Sequence, residues 1–409
     1  MIEDIGYIHG IAQTERIIEL SEDQNKALKA IDDFMHSSKK YMVIGGIAGS
    51  GKSSIIPFIV EKYPNTEITA PTGKAVMVLK RKGLIDAMTL HSFLYIYNRK
   101  KDIEGNYYFE VVEKPDFHFN GIDLVIVDEA SMVNHEMFNI LSNKKFKVLY
   151  IGDHFQLPPV KDDFNILSNP DFRMEKVLRQ NQDNPIIYLA ELARNNKMIP
   201  LGKYGDSKCK IKLNYDELTS FNEIITWTND ARKHINEAVR RQYNYLEDRP
   251  VNDEKMICKN NHIAKNLFNG QIVYAINNPK KNKNGTWKFE LIDELAHDDP
   301  FIMAQTDYTI NVDAFIGLDR IEMKQKSDEY YLQDVKFLNM KDNLKIFKHV
   351  KKPIFLDYGY ALTCHNAQGS SWENVAVIDE KKMFHHKDYF RWLYTAITRA
   401  EKVLTIYRF

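Results

Sequence analysis

Between Ser21 and about Val160, short apolar runs alternate with stretches in which apolar residues recur every three or four positions. After Ser21, residues Ala27, Leu28, Ile31, Phe34 and Met35 fall on one face of a helix. The runs YMVIGG, TEITA, IDLVIV and KVLYIG have strand length, and all but TEITA are largely apolar, the pattern of strands buried on both faces. Strands alternating with helices in this way predict a parallel sheet covered on both sides. Residues Tyr97 to Lys114 break the rhythm and predict an inserted β-hairpin with Gly105 at its tip.

The rhythm resumes after about Asp171, with IIYLAELARNN as a helix, EIITW as a strand and NDARKHINEAVRRQY as a helix. From Asn244 to Pro353 the character changes. There GQIVYAI, TWKFELI and DYTINVDAF read as β-strands around Asn-Gly and Lys-rich turns. IFLDYGYALTCH, NVAVID, a helix through YFRWLYTAITRA, and KVLTIY then restore alternation. The expected fold class is α/β, with two parallel-sheet domains and a β-rich insertion in the second. The expected boundaries are an N-terminal extension over 1–20, a first domain over 21–175 with its hairpin at about 97–118, a second domain over 176–243 and 354–409, and the insertion over 244–353.

Composition narrows the setting. With 409 residues and 44% hydrophobic content, the chain can bury two or more cores. Cys209, Cys258 and Cys364 form no close-spaced pair, which argues for a reducing compartment and against a disulfide scaffold or structural zinc site. No apolar run approaches the roughly 18 residues of a membrane span, and no signal-peptide core is present at Met1, so a cytoplasmic protein without a membrane partner is expected. Acidic and basic residues balance at 56 each, so a nucleic-acid site would need local clusters such as Lys80 to Lys82 or Arg99 to Lys101. Taken singly, each cluster reads as an ordinary solvated face.

The strongest chemical signal is GGIAGSGKSS, at the end of one strand and the start of a helix. Gly46, Gly49, Ser50, Gly51, Lys52, Ser53 and Ser54 have the spacing of a phosphate-binding loop. Glycines let backbone N–H groups turn inward around phosphate, Lys52 neutralises β/γ oxygens, and Ser53 can ligate magnesium. Further on, the strand LVIV ends in Asp128 and Glu129. Asp128 is placed to hold Mg2+ and Glu129 to orient or deprotonate an attacking water, which points to ATP hydrolysis. Gln24 stands three residues after Ser21, so it either completes a helix-capping box or reads a base edge with its amide. In GDHFQLPPV, Pro158 and Pro159 stop the strand, and Gln156 is on pattern alone a turn residue.

The ordered set GIAGSGKS, APTGKAV, TLHSFL, VIVDEAS, GDHFQLPPV, VLRQ, LTCHNAQGSSW and LYTAITRA resembles superfamily 1 DNA helicases, in particular the compact phage Dda-like and RecD-like branch. The match runs in order from about Leu20 to Arg408. The resemblance implies RecA-like sheets, an SH3-like barrel as the insertion, and the hairpin as the wedge that splits a duplex. It implies that Gln24 reads adenine, that Gln156 contacts the γ-phosphate, that Arg179 and Arg399 reach it from the second domain, and that Gln368 and Gly369 line the nucleotide cleft. It further implies that Pro71, Thr72, Lys74, Thr89, His91, Ser92, Thr363 and His365 hold a single-stranded DNA backbone. Trp227 and Asn229 could stack on or bond a base, and Trp227 could equally pack in the core. Many relatives carry a Glu where this chain has Ser371, so a ribose contact is not expected from that position.

The activity implied is an ATP- and Mg2+-dependent helicase moving 5′ to 3′ on single-stranded DNA and acting on forked duplexes. The expected protein is a monomer with replication or recombination proteins as partners, phage-encoded and acting in the host cytoplasm. A translocase or recombination mediator that unwinds little, and an ATPase serving as a regulatory switch, remain the alternatives, and RNA remains open as the track.

Overall fold

The computed structural model describes residues 20–101, 107–158, 164–177, 184–245, 249–294 with breaks at 261, 263–264, 266 and 268, then 297, 309–327 except 320, 353–380 and 385–408. The first sheet is built from β1 (Tyr41–Gly46), β2 (Thr66–Ala70), β3 (Met88–Thr89), β6 (Leu124–Val127), β7 (Lys147–Gly152) and β8 (Phe172–Met174). The strand order is β3-β2-β6-β7-β1-β8, with every pair parallel. Alternate residues of one strand point to opposite faces. Ile44, Ile126 and Leu149 accordingly pack with Ile31, Ile59 and Leu79 on one side, while Val43, Val125 and Val148 pack with Leu90, Phe93 and Leu141 on the other. Both faces being covered explains why these strands read as unbroken apolar runs. Strand β8 was not legible because three residues carry no period.

The hairpin of β4 (Tyr95–Lys101) and β5 (Tyr107–Glu113) pairs antiparallel from Tyr95 opposite Glu113 to Lys101 opposite Tyr107. It starts two residues before the expected Tyr97, and Gly105 lies outside the described residues.

The second sheet contains β9 (Gly202–Tyr204), β10 (Ser207–Lys210), β11 (Glu223–Thr226), β17 (Ala361–Thr363), β18 (Trp372–Asp379) and β19 (Ala400–Arg408). Its order is β17-β11-β18-β19-β10-β9, parallel except for the outer β9–β10 pair. Between β11 and β17 the chain forms a closed barrel of β12 (Lys255–Cys258), β13 (Ile272–Lys281), β14 (Trp287–Asp293), β15 (Ile310–Ile316) and β16 (Ile354–Tyr358). The barrel is the β-rich insertion that the resemblance implies.

One strand is placed differently from its sequence reading. Residues Ile354–Tyr358 read as continuous with the second α/β domain, yet they close the barrel by pairing with β12 and β15. The chain leaves at Gly359, where a Cβ would stand 3.0 Å from the Met256 carbonyl carbon. Only glycine allows that approach, and the apolar pattern runs across it without a mark.

Candidate functional site

The phosphate loop leaves the C-terminal end of β1, next to β7 and one strand from β6, so the groups that follow these strands share one edge of the sheet. Gly49 and Gly51 adopt φ of 77° and 75°, a left-handed conformation that side chains disfavour. A Cβ on Gly46 would lie 2.7 Å from Cγ of Lys52, so this glycine gives the lysine room to fold over the loop. Lys52 donates to the Ile47 carbonyl at 2.8 Å, and the Ser50 hydroxyl donates to the same oxygen at 2.8 Å. The helix expected to open at the loop begins as a 3-10 turn over Lys52–Ile55, and α geometry starts at Ile56 with Pro57 in its first turn.

Ser53 and Asp128 come together as the sequence suggested. The Ser53 hydroxyl donates to Oδ2 of Asp128 at 2.9 Å. Two hard oxygen donors at this separation, beside a loop whose glycines leave space for phosphate, fit a magnesium nucleotide. Glu129 follows with φ of 52°, a left-handed conformation that costs a non-glycine residue about 1–2 kcal/mol and turns its side chain out of the strand direction. Burial pushes its carboxyl above the usual range, and the nearby Arg399 guanidinium is the largest opposing influence.

Arg399 arrives from the second sheet, immediately after the helix Tyr389–Ile397. It is 5% exposed and held on three sides. Its Nε donates to the Thr395 carbonyl at 3.1 Å, Nη1 to the Ser370 carbonyl at 3.0 Å and Nη2 to the Thr398 hydroxyl at 3.2 Å. Such a fixed fork is pre-organised to meet phosphate oxygens. Arg179 lies outside the described residues.

Gln24 completes the capping box, and its amide also reaches the phosphate loop. Its Oε1 accepts from the Ser21 N–H at 2.8 Å and its own N–H donates to the Ser21 hydroxyl, completing the capping box. Its Nε2 donates to the Gly51 carbonyl at 3.2 Å, tying the helix to the phosphate loop. Gln156 is 6% exposed, and its side-chain oxygen is buried without a partner among the described residues. Gln368 donates to the Leu157 carbonyl at 3.0 Å. Gly369 has φ of 76°, and a Cβ there would come within 3.3 Å of the Thr72 hydroxyl and 3.2 Å of Ala75. Gln368 and Gly369 thus line the seam between the sheets.

The residues matched to DNA contacts follow the ends of neighbouring strands. Pro71, Thr72 and Lys74 follow β2 and Thr89 ends β3, while Thr363 ends β17 and Trp227 follows β11. Thr72 and Thr89 cap helices by accepting from Ala75 and Ser92 N–H groups, and the Thr89 hydroxyl bonds that of Ser92 at 2.8 Å. His91 and Ser92 are exposed, and His91 packs on the Tyr95 ring. His365 is partly buried, and that burial lowers its pKa. Asn229 accepts from Arg232 at 3.3 Å. Trp227 packs on Trp392 with ring centroids 4.8 Å apart, so it belongs to the core as much as to a surface. Lys74 joins the two groups across the seam by donating to the Asn366 carbonyl at 3.2 Å, with the Trp372 ring 5.7 Å from its ammonium. Burial lowers its pKa to about 8.

Sequence reasoning passed over Asp153, Tyr394 and Thr395. Asp153 is fully buried and accepts from the Tyr394 hydroxyl at 2.6 Å, and the Thr395 hydroxyl accepts from the Leu157 N–H at 3.0 Å. Each stood inside a motif, GDHFQ or LYTAITRA, whose other letters drew the chemistry.

Comparisons with known proteins agree with this geometry. A family model described as an AAA domain matches residues 19–208, and one described as the UvrD-like helicase C-terminal domain matches 358–407. The RecBCD enzyme subunit RecD of Buchnera aphidicola subsp. Schizaphis graminum is 25% identical, over 89% of this chain and 69% of that one. The ATP-dependent DNA helicase dda of Enterobacteria phage T4 is 27% identical, over 55% of this chain and 57% of that relative's length. A solved structure of Bacteroides Pif1 bound to ssDNA superposes with a TM-score of 0.55 at 17% identity, covering 95% of this chain and 92% of that one, which shows a common fold. With the matched segments falling on the phosphate-loop sheet and on the helix and strand that flank Arg399, the chain carries an AAA domain and a UvrD-like helicase C-terminal domain and is similar to the RecD and Dda helicases.

Proposed function

We propose that this protein couples hydrolysis of ATP with magnesium to stepping along single-stranded DNA, 5′ to 3′, and separates the strands of a forked duplex ahead of it. The observation that carries the proposal is the Ser53–Asp128 pair beside the phosphate loop of the first sheet, joined to the second sheet where the Leu157 N–H donates to the Thr395 hydroxyl and the Thr395 carbonyl accepts from Arg399. A nucleotide in that position touches both sheets, so its hydrolysis changes how they fit together. Domain boundaries at about residues 21–175, 176–243 with 359–409, and 244–358 accompany this reading, the strand Ile354–Tyr358 now counted with the barrel, and the expected species is a monomer.

In this scheme Lys52 and the loop amides bind the β- and γ-phosphates. Ser53 and Asp128 hold magnesium, which neutralises charge on the phosphates when bound. Glu129 orients a water for attack, and the fixed fork of Arg399 stabilises negative charge that builds on the γ-phosphoryl group. DNA lies along the strand ends that carry Thr72, Thr89, His91, Ser92, Thr363 and His365, of which His91 and Ser92 are exposed. Hydroxyl and imidazole groups there contact phosphates without reading bases.

A strand-displacement assay on duplexes carrying either a 5′ or a 3′ single-stranded tail tests the proposal, with the Lys52→Ala protein as control. ATP-dependent displacement of the 5′-tailed substrate alone is expected. Displacement of only the 3′-tailed substrate overturns the polarity. ATP turnover stimulated by single-stranded DNA without displacement of either substrate replaces the helicase by a translocase, and unstimulated turnover replaces it by a regulatory ATPase.

A further inference from the structure

The direct hydrogen bond between the second sheet's last helix and the phosphate loop is made by a residue outside the set already assigned. Tyr394, 2% exposed on the helix Tyr389–Ile397, places its hydroxyl between two groups of the first sheet. It donates to Oδ2 of Asp153 at 2.6 Å and accepts from the backbone N–H of Ala48 at 2.9 Å. Ala48 belongs to the phosphate loop, and Asp153 begins the turn that carries Gln156. The other Asp153 oxygen accepts from the Phe155 N–H at 3.0 Å, and the Asp153 carbonyl accepts from the Gln156 N–H at 3.1 Å. The next residue along the helix completes the link. The Thr395 hydroxyl accepts from Leu157, and the Thr395 carbonyl accepts from Nε of Arg399. A single helical segment thereby touches the phosphate loop, the Gln156 turn and the arginine.

We propose that Tyr394 is a positioning residue for ATP hydrolysis, its hydroxyl setting the register of the phosphate loop and the Gln156 turn against the helix that leads into Arg399. The proposal rests on the reading of this cleft as the ATP site. A phenol suits the task because it donates and accepts at one atom on a rigid ring. Burial raises its pKa well above the ordinary value, with Asp153 acting in the same direction, so it keeps the proton it donates. Phenylalanine would fill the same volume but leave the buried Asp153 oxygen and the Ala48 N–H without this partner. When the helix shifts, the Asp153 and Ala48 contacts are lost together, so loop geometry and arginine placement change as a unit.

The test uses the full chain with Tyr394→Phe, measuring DNA-stimulated turnover, the Kd of magnesium ADP and the melting temperature. Turnover should fall by up to about 100-fold, the scale of a misplaced catalytic group, while nucleotide affinity changes by less than about threefold. The losses of Tyr394→Phe and Arg399→Ala should not multiply in the double variant, because one acts through the other. Wild-type turnover in Tyr394→Phe, or losses that multiply fully, overturns the proposal. Should Tyr394→Phe melt below the assay temperature, Asp153→Asn probes the same link with the tyrosine in place, and normal turnover there overturns it equally. Wild-type turnover in Arg399→Ala instead removes the ATP-site reading on which the proposal stands.

Discussion

The Ser53 hydroxyl and the Asp128 carboxylate meet at 2.9 Å although 75 residues separate them, one on the turn after β1 and the other at the end of β6. Parallel strands bring both to one edge of the sheet. If these two oxygens share one magnesium, as proposed, each should set its affinity. Ser53→Ala is expected to raise the magnesium concentration needed for half-maximal hydrolysis by roughly 10-fold or more. Titrating magnesium at fixed ATP checks this, and an unchanged midpoint removes Ser53 from the metal site.

Lys52 and Arg399 approach the site from different sheets and should fail differently. Lys52 touches the loop that binds nucleotide, so Lys52→Ala should abolish DNA-stimulated hydrolysis. Arg399 is fixed by the Thr395 and Ser370 carbonyls of its own sheet, so Arg399→Ala should leave nucleotide affinity near wild type. Its turnover should drop by about 10³-fold or more, the range of an arginine that stabilises phosphoryl charge. Equilibrium binding of a fluorescent ADP analogue alongside steady-state turnover separates the two effects. Parallel loss of both in Arg399→Ala would indicate damage to folding.

Much of this was legible because the relevant features repeat locally. Continuous apolar runs marked β1, β6 and β7, and the phosphate loop carries its full spacing in ten residues. What was not legible depends on distance or on shortness. Strands β8 and β9 have three residues each, too few for a period. Ile354–Tyr358 reads as a strand but carries no sign of which sheet it joins, and only its pairing with Met256 and Ala314 decides that. Tyr394 looks like core in its helix, because its task depends on Ala48 and Asp153, 346 and 241 residues away.

Gln156 offers a prediction with opposite signs for stability and activity. Its side-chain oxygen is buried without a partner among the described residues, and an unsatisfied buried group of this kind costs about 1–3 kcal/mol. Gln156→Ala should therefore leave the melting temperature unchanged or raise it. Hydrolysis on DNA and strand displacement should fall together if the amide senses the γ-phosphate. Normal rates of both would return Gln156 to a turn residue, and a lowered melting temperature would show that its amide supports the fold.

The junction of the second sheet with the barrel supplies a pH dependence. Glu223 on β11 is fully buried, and Lys255 on β12 donates to its Oε2 at 2.9 Å. Lys74 and Glu294 also act on it electrostatically. Burial dominates and raises the Glu223 pKa from 4.5 to about 7, against the pull of Lys255 and Lys74. Between those values the folded chain keeps a proton that the unfolded chain has released. Its contribution to stability is therefore complete below about pH 4.5 and is lost as pH rises through about 7, with a slope of at most ~1.4 kcal/mol per pH unit. Glu223→Gln cannot titrate and should remove that part of the slope. Urea unfolding midpoints at several pH values between 4.5 and 8, measured for both proteins, decide the matter. Curves that run parallel across the window would show that the Lys255 partnership, and not burial, governs the Glu223 charge.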